Sequence, residues 1–239
     1  MSILYIVATP IGNLTDITLR ALETLKAADL VVAEDTRRTR KLLNHYDIRV
    51  PLLSYFEHNR DVRIPQIMKR LKRNEQIAMV TDSGTPGISD PAYRLIREAI
   101  RDGIGITSIP GPSALTTAVV LSGLPTDRFV FEGFLPRKKR RRARLSQLAR
   151  EERTVIIFES PKRLTKTIRE CRLQMGDRPV SVCRELTKMH EEVFRGTLSD
   201  AEAHFGKVKP RGEIVLVIGK DDPNVHFHAS DSRRWDVKV

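Results

Sequence analysis

The stretch IAMVTDSGTPGI, residues 77–88, is an apolar run that stops abruptly in Asp82, Ser83, Gly84, Thr85, Pro86 and Gly87 before Ile88. The pattern predicts a buried strand delivering a tight, glycine-permitted loop at its carboxyl end, with Ser89, Asp90 and Pro91 opening a helix. In an open α/β sheet, ligands lie in the crevice outside the carboxyl ends of the strands, so this loop marks a candidate site. A second strand ends in the same way at Ile109, Pro110, Gly111, Pro112 and Ser113, about one βαβ unit later. One such loop alone need only turn the chain. Two of them, one carrying an acid at the strand tip, would frame a pocket.

Upstream, ILYIVAT at residues 3–9 reads as another nearly all-apolar strand, and Pro10, Ile11, Gly12, Asn13 and Leu14 form its carboxyl loop. It is neither a GxGxxG fingerprint nor a GxxxxGK[ST] loop, which disfavours a nicotinamide or nucleoside triphosphate cofactor. A short strand at residues 29–33 closes in Glu34, Asp35, Thr36, Arg37 and Arg38. Two readings of that cluster stay open: substrate positioning or proton handling by the acids, or an N-cap by Asp35 with acids favoured by the helix dipole. His58 is a lone histidine, more often a surface residue than a base. A helix from about residue 61 to 73 is expected, with Pro65 in its first turn. Strands alternate with helices through residue 122, which implies a mostly parallel sheet.

Gly123, Leu124 and Pro125 break that alternation, and the boundary between two domains, 1–123 and 124–222, is placed there. In the second domain strands outnumber helices, so its sheet should be mixed. The fold class expected is therefore α/β, with two α/β domains, the first on a mostly parallel sheet and the second on a mixed one. Residues 223–239 form a polar tail, expected to be disordered unless Trp235 anchors it.

Charge points to a partner. Lys and Arg number 42 against 30 acids in 239 residues, a formal net charge of +12. Residues 1–124 hold 16 basic and 13 acidic side chains, and residues 125–239 hold 26 and 17, so the excess lies in the second half. Arg137, Lys138, Lys139, Arg140, Arg141, Arg142 and Arg144 contribute seven positive charges with no acid among them. A polyanion beside such a block releases counterions, which makes binding favourable and salt-sensitive. The block lacks an apolar face for membrane insertion, and no apolar run long enough to span a bilayer or serve as a secretory signal occurs, so a cytoplasmic protein with no membrane partner is expected. Cys171 and Cys183 show no metal-ligand spacing, and no metal is expected.

Thr9 to Leu14 (TPIGNL), Ala33 to Arg37 (AEDTR), residues 81–91 (TDSGTPGISDP), 110–114 (PGPSA), 159–161 (ESP) and 211–213 (RGE) together resemble the rRNA-methylating branch of the tetrapyrrole methylase superfamily, in order and over residues 3–219. That branch consists of bacterial enzymes that methylate the ribose 2′-hydroxyl of a cytidine in 16S rRNA. The resemblance implies two α/β domains with S-adenosyl-L-methionine folded into the cleft between them, a homodimer, and 16S rRNA or the small ribosomal subunit as partner. It implies cofactor contacts from Pro10, Asp82, Gly84, Thr85, Pro86, Gly87, Ile88, Ser113 and Ala114, and from Phe158, Glu159, Leu186, Gly212, Glu213 and Ile214. Glu34, Asp35 and Arg37 become the catalytic and nucleotide-positioning candidates, with Asp35 the leading base, and the Arg137 to Arg144 block contacts rRNA phosphates. A small-molecule methylase of the same fold and a noncatalytic RNA-binding assembly module are the alternatives. Replacing Arg140, Arg141 and Arg142 by Ala is expected to weaken RNA binding and flatten its salt dependence without touching cofactor affinity, read from binding isotherms at several salt concentrations.

Overall fold

The computed structural model describes residues 2–227. The chain divides into two compact units, Met1–Ser113 and Ala114–Val239, each built on its own five-stranded sheet.

The first unit runs β1 (Ile3–Val7), α1 (Leu19–Ala27), β2 (Leu30–Ala33), α2 (Thr36–His45), β3 (Leu52–Ser54), α3 (Arg60–Leu71), β4 (Ile77–Val80), α4 (Ala92–Arg101) and β5 (Gly105–Ile109), with a 3-10 turn at Leu14–Asp16. Its strands lie in the order β3-β2-β4-β1-β5, and every pair is parallel. β2 and β4 are buried along their whole length, which explains why both read as continuous apolar runs rather than alternating ones. The side-chain period of two distributes them between two cores. Leu30, Val32, Ile77 and Met79 pack with α3 and α4, while Val31, Ala33, Ala78 and Val80 pack with α1 and α2. Because all five strands point one way, all five carboxyl loops emerge at one edge.

The second unit runs α5 (Ala114–Ser122), β6 (Phe129–Phe134), α6 (Lys139–Leu148), β7 (Thr154–Glu159), α7 (Leu164–Met175), β8 (Pro179–Arg184), β9 (Glu192–Thr197), α8 (Leu198–Lys207) and β10 (Ile214–Ile218). The order is β6-β7-β10-β8-β9. β6 and β7 are parallel, and the other three pairs are antiparallel, the mixed sheet expected from the sequence. α6, α7 and α8 cover one face through Leu145, Leu148, Ile168, Cys171, Ala201 and Phe205. α5 packs against β8, β9 and β10, and the Cys183 thiol lies 3.9 Å from the Ala118 carbonyl oxygen.

Two differences from the sequence reading have physical causes. The division falls ahead of α5, not at Gly123. Gly123, at φ +74°, only turns the chain out of α5 into β6, and a turn signal says where a helix ends, not which sheet the helix covers. Pro65 sits beyond the first turn of α3, because the helix begins at Arg60, so its missing N–H removes one internal hydrogen bond. Most of the arginine block forms α6. The expectations for Trp235 and most of the polar tail lie outside the described residues; within them, Pro223–Val225 is a 3-10 turn.

A buried arginine closes the end of the second unit. Arg178 is 6% exposed and donates to the carbonyl oxygens of Met175, Glu151 and Ala149 at 3.1, 2.8 and 2.7 Å. Arg178→Ala strands three carbonyls at once, so it should destabilise the protein by about 3 kcal/mol in urea unfolding, whereas Arg150→Ala on the exposed surface should change it by under about 0.5 kcal/mol.

Candidate active site

In the first unit the loops after β1, β4 and β5 are fastened to one another. The Thr9 amide donates to the Gly84 carbonyl at 2.9 Å and the Gly84 amide returns the bond to Thr9 at 3.0 Å. Thr9 Oγ1 also donates to the Thr81 carbonyl at 3.2 Å, and Thr85 Oγ1 to the Pro112 carbonyl at 3.4 Å. Gly84 is at φ +81°, and a β-carbon there would sit 3.5 Å from Ile11, so only glycine takes this conformation without strain. Asp90 shapes the remainder of the loop, accepting from the amides of Gly87 at 2.8 Å and Ala92 at 2.9 Å. Burial pushes its carboxyl above the ordinary range despite those amides.

The tip of β2 joins the same edge. Thr81 Oγ1 donates to Glu34 Oε2 at 2.8 Å, and the Asp35 amide donates to Asp82 Oδ1 at 2.9 Å. Arg38 approaches the other Asp82 oxygen at 3.4 Å. Pro10, Leu14, Arg38, Lys41 and Asp82 border a cavity of about 210 Å³. The structure therefore gathers Pro10, Glu34, Asp35, Asp82, Gly84 and Thr85 at one strand edge, as the sequence pattern anticipated.

The local environment of Asp35 favours its helix-capping reading. Its carboxylate caps α2 by accepting from the Arg37 amide at 2.8 Å, and grips the Arg37 guanidinium through Nε at 3.1 Å and Nη2 at 2.7 Å. The Arg37 hydrogen bonds hold the carboxyl far below the usual carboxylate range, which makes it a weak proton acceptor. His58 is exposed and stands edge-on to Phe56 at 6.4 Å between ring centres.

In the second unit, β7 and β8 both run antiparallel to β10, so the carboxyl ends of the first two meet the amino end of the third. Register pairs Ile214 with Glu159 on one side and with Arg184 on the other. Phe158 lies one position back, edge-on to Phe131 at 4.9 Å and Phe134 at 5.8 Å. Glu185 and Thr187, at φ +51° and +64°, flank buried Leu186, an uncommon density of left-handed backbone outside glycine. Glu185 Oε1 accepts from the Glu213 amide at 2.8 Å and from Lys188 Nζ at 2.9 Å. Burial pushes the Glu185 carboxyl up, but the Lys188 and Glu213 hydrogen bonds outweigh it, and the group lies below its ordinary range. Gly212, at φ +85°, leaves room for this side chain: a β-carbon there would fall 2.1 Å from Glu185 Cδ.

Glu159, Arg141 and Arg144 have structural partners that the sequence pattern concealed. Glu159 is 2% exposed. It accepts from the Ser160 amide at 2.8 Å and Thr167 Oγ1 at 2.6 Å, and pairs with Arg163 at 2.6 Å and Arg141 at 3.6 Å. Arg141 is buried, reaching Glu170 and Thr167 at 2.5 Å each, and Arg144 holds Glu132 through Nε at 2.7 Å. Helical spacing turns Arg141 inward, so the salt-slope expectation set for Arg140, Arg141 and Arg142 applies to Arg140 and Arg142 alone, which stay exposed with Arg137, Lys138 and Lys139. The residues missed from sequence were Thr81, Arg38, Asp90 and Glu185. Thr81 stood beside the quoted acid, but the fold of the Glu185 loop left no mark in side-chain type.

The doubly covered parallel sheet followed by a mixed one, with glycine-rich strand tips, is the architecture of a methylase family. The model of the tetrapyrrole (corrin/porphyrin) methylases matches residues 3–202, and the chain belongs to that family. Among curated relatives it is 54% identical over 222 residues to ribosomal RNA small subunit methyltransferase I of Thermotoga maritima, covering 92% of this chain and 100% of that one. It is 51% identical to the protein of the same name from Synechocystis, with 93% and 81% covered, and 43% identical to that of Bacillus subtilis, with 91% and 75% covered. Solved structures share the fold at low identity. Diphthine synthase has TM-score 0.72 at 16% identity, covering 92% of this chain and 90% of that one. The cobalamin biosynthetic enzyme cobalt precorrin-4 methyltransferase has 0.69 at 19%, covering 91% and 94%.

The burial of Arg141 separates two neighbours in sequence. Arg141→Ala should cost about 3 kcal/mol of stability in urea unfolding because it breaks a buried ion pair. Arg140→Ala, exposed, should cost under about 0.5 kcal/mol.

Proposed function

We propose that the protein is an S-adenosyl-L-methionine-dependent methyltransferase that methylates the ribose 2′-hydroxyl of a cytidine in 16S rRNA, working in the cytoplasm as a homodimer. The single observation that carries the reading is the 54% identity to a ribosomal RNA small subunit methyltransferase I across that relative's whole length. The glycine-rich strand tips fit the cofactor. Gly84 and Gly87, both at positive φ, keep the loop after β4 free of side-chain bulk, and nothing lies within 4 Å of where a Gly87 β-carbon would stand.

Pro10, Asp82, Gly84, Thr85, Pro86, Gly87, Ile88 and Ser113 are the holding residues in the first unit. Ala114, Phe158, Leu186, Gly212, Glu213 and Ile214 have that role in the second. The Glu159 side chain is fully engaged by its own unit, so a contact from this position comes from its main chain. When bound, S-adenosyl-L-methionine supplies a methyl carbon activated by the positive sulfonium.

This chain's part is alignment, worth up to roughly 7–11 kcal/mol where reacting atoms are held in near-attack geometry. Recognition of a 2′-hydroxyl is what distinguishes RNA from DNA at such a site. The Glu34, Asp35 and Arg37 segment positions the nucleotide. Arg37, its side chain 88% exposed, offers a guanidinium to a phosphate, while Asp35 holds that guanidinium in place. A carboxyl with a depressed pKa stays ionised above its ordinary value and loses its charge only as pH falls toward the lowered one. The Asp35 grip on Arg37 is therefore constant from neutral pH down to about pH 4.

Labelled S-adenosyl-L-methionine incubated with small ribosomal subunits lacking the modification should yield an alkali-resistant linkage at a cytidine; absence of transfer would overturn the reading. Asp35→Asn should raise KM for the subunit while kcat falls less than about tenfold, because a true general base would cost about 10²–10⁴ in kcat. Gly84→Val should abolish cofactor binding in calorimetry, since the branched side chain adds bulk at a positive φ.

A further inference from the structure

The first unit carries two cationic segments, residues 36–49 and residues 60–73, the second with a net charge of +5. Residues 36–49 hold Arg37, Arg38, Arg40, Lys41 and Arg49 against the single acid Asp47, a net of +4, whereas residues 1–124 together reach only +3. α2 contains no acid at all. Arg37 is gripped by Asp35 and Arg38 leans on Asp82. Arg40, Lys41 and Arg49 are exposed and form no ion pair among the described residues. Much of the charge on α3 and α4 is different in kind: Lys72 pairs with Asp102 at 2.9 Å, Arg70 with Glu75 at 2.5 Å and Arg94 with Asp61 at 3.3 Å.

The cations of α2 stand over recesses. Arg40, Asn44 and Arg49 border a cavity of about 340 Å³, and Arg38 and Lys41 border the cavity of about 210 Å³ beside Asp82. Spacings of three and four residues put these two sets on opposite flanks of the helix. The helix is fastened at both ends, by Asp35 at the start and by the Tyr46 hydroxyl donating to the Leu14 carbonyl at 2.6 Å near its finish. Its apolar residues Leu42 and Leu43 are buried, so it has nothing to insert into a lipid surface. What is presented is a rigid cationic ridge about 15 Å long. It begins at the strand edge that carries Asp82.

We propose that this ridge, through Arg40, Lys41 and Arg49, is a second polyanion-binding surface, which takes the sugar-phosphate backbone of RNA flanking the target nucleotide. The proposal rests on the rRNA reading above and adds a surface to it. Guanidinium and ammonium groups without internal partners are the groups from which a phosphate displaces only counterions.

The test uses the full-length protein and small ribosomal subunits lacking the modification. Binding is measured from about 50 to 200 mM salt for the wild type, for Arg40→Ala/Lys41→Ala/Arg49→Ala, and for a control, Lys69→Ala/Arg73→Ala, which removes two exposed cations at and just beyond the carboxyl end of α3. The first variant should lose about 2 from the slope of log K against log salt, three contacts at about 0.7 each for a single strand, and at least tenfold in affinity at the lower salt. The control should keep the wild-type slope, and Arg40→Ala/Arg49→Ala, which leaves the cavity beside Asp82 untouched, should bind S-adenosyl-L-methionine as the wild type does. An unchanged slope in the α2 variant, or an equal loss in the control, overturns the ridge while leaving the methyltransferase reading intact. Wild-type protein that neither binds nor methylates the subunits overturns both.

Discussion

Two main-chain hydrogen bonds, from Thr9 to Gly84 and back, hold the loops at the first unit's carboxyl strand edge in one shape. Parallel strands cannot be joined by a tight turn, so their carboxyl loops are separate excursions of the chain with no obligation to meet. Here the loop after β4 doubles back to pair with the one after β1, and Thr85 draws in the one after β5. Glycine at position 84 permits the pairing, and Thr9, buried between them, adds its hydroxyl to it. The tip of β2 is then tied to this frame through Thr81 and Asp82, which places the charged start of α2 beside it.

The second unit solves a comparable problem with charge instead of glycine pairing. Its edge is organised by two carboxylates that face inward. Glu159 is satisfied by an amide, a hydroxyl and two guanidinium groups, and Glu185 by an amide and an ammonium. A buried carboxylate is tolerable only when its oxygens are fully partnered, and removing a partner costs more than the pair contributes. Arg141 thus belongs to the interior of the unit although it sits within the most basic run of the chain, and α6 is pinned to α7 by it. The exposed cations on either side of Arg141 are displayed by a fixed helix, which limits the entropy lost when a polyanion orders them.

The two cysteines take no part in this chemistry. Burial pushes the Cys171 thiol up to about 12 and the Cys183 thiol up to about 11, so neither ionises at neutral pH and both behave as small apolar groups.

Continuous apolar runs at β1, β4 and β10, glycine and proline at their ends, and alternation with amphipathic helices were enough to determine two α/β units and to single out the strand tips as the candidate edge. Those features are local, set by backbone freedom and by burial on both faces of a sheet. The motifs likewise carried the family, because glycine and proline at the strand tips are fixed by the backbone conformation there. Only the tertiary structure decided which charges are free. Asp35 and Arg37 read equally well as catalyst and as helix cap until their mutual grip was seen, and Arg141 was indistinguishable from Arg140 until helical phase turned one of them onto Glu159. The division of the chain ahead of α5 was hidden for a similar reason. Whether a charge is paired, or which sheet a helix covers, depends on residues far away in sequence, and local propensity contains no record of them.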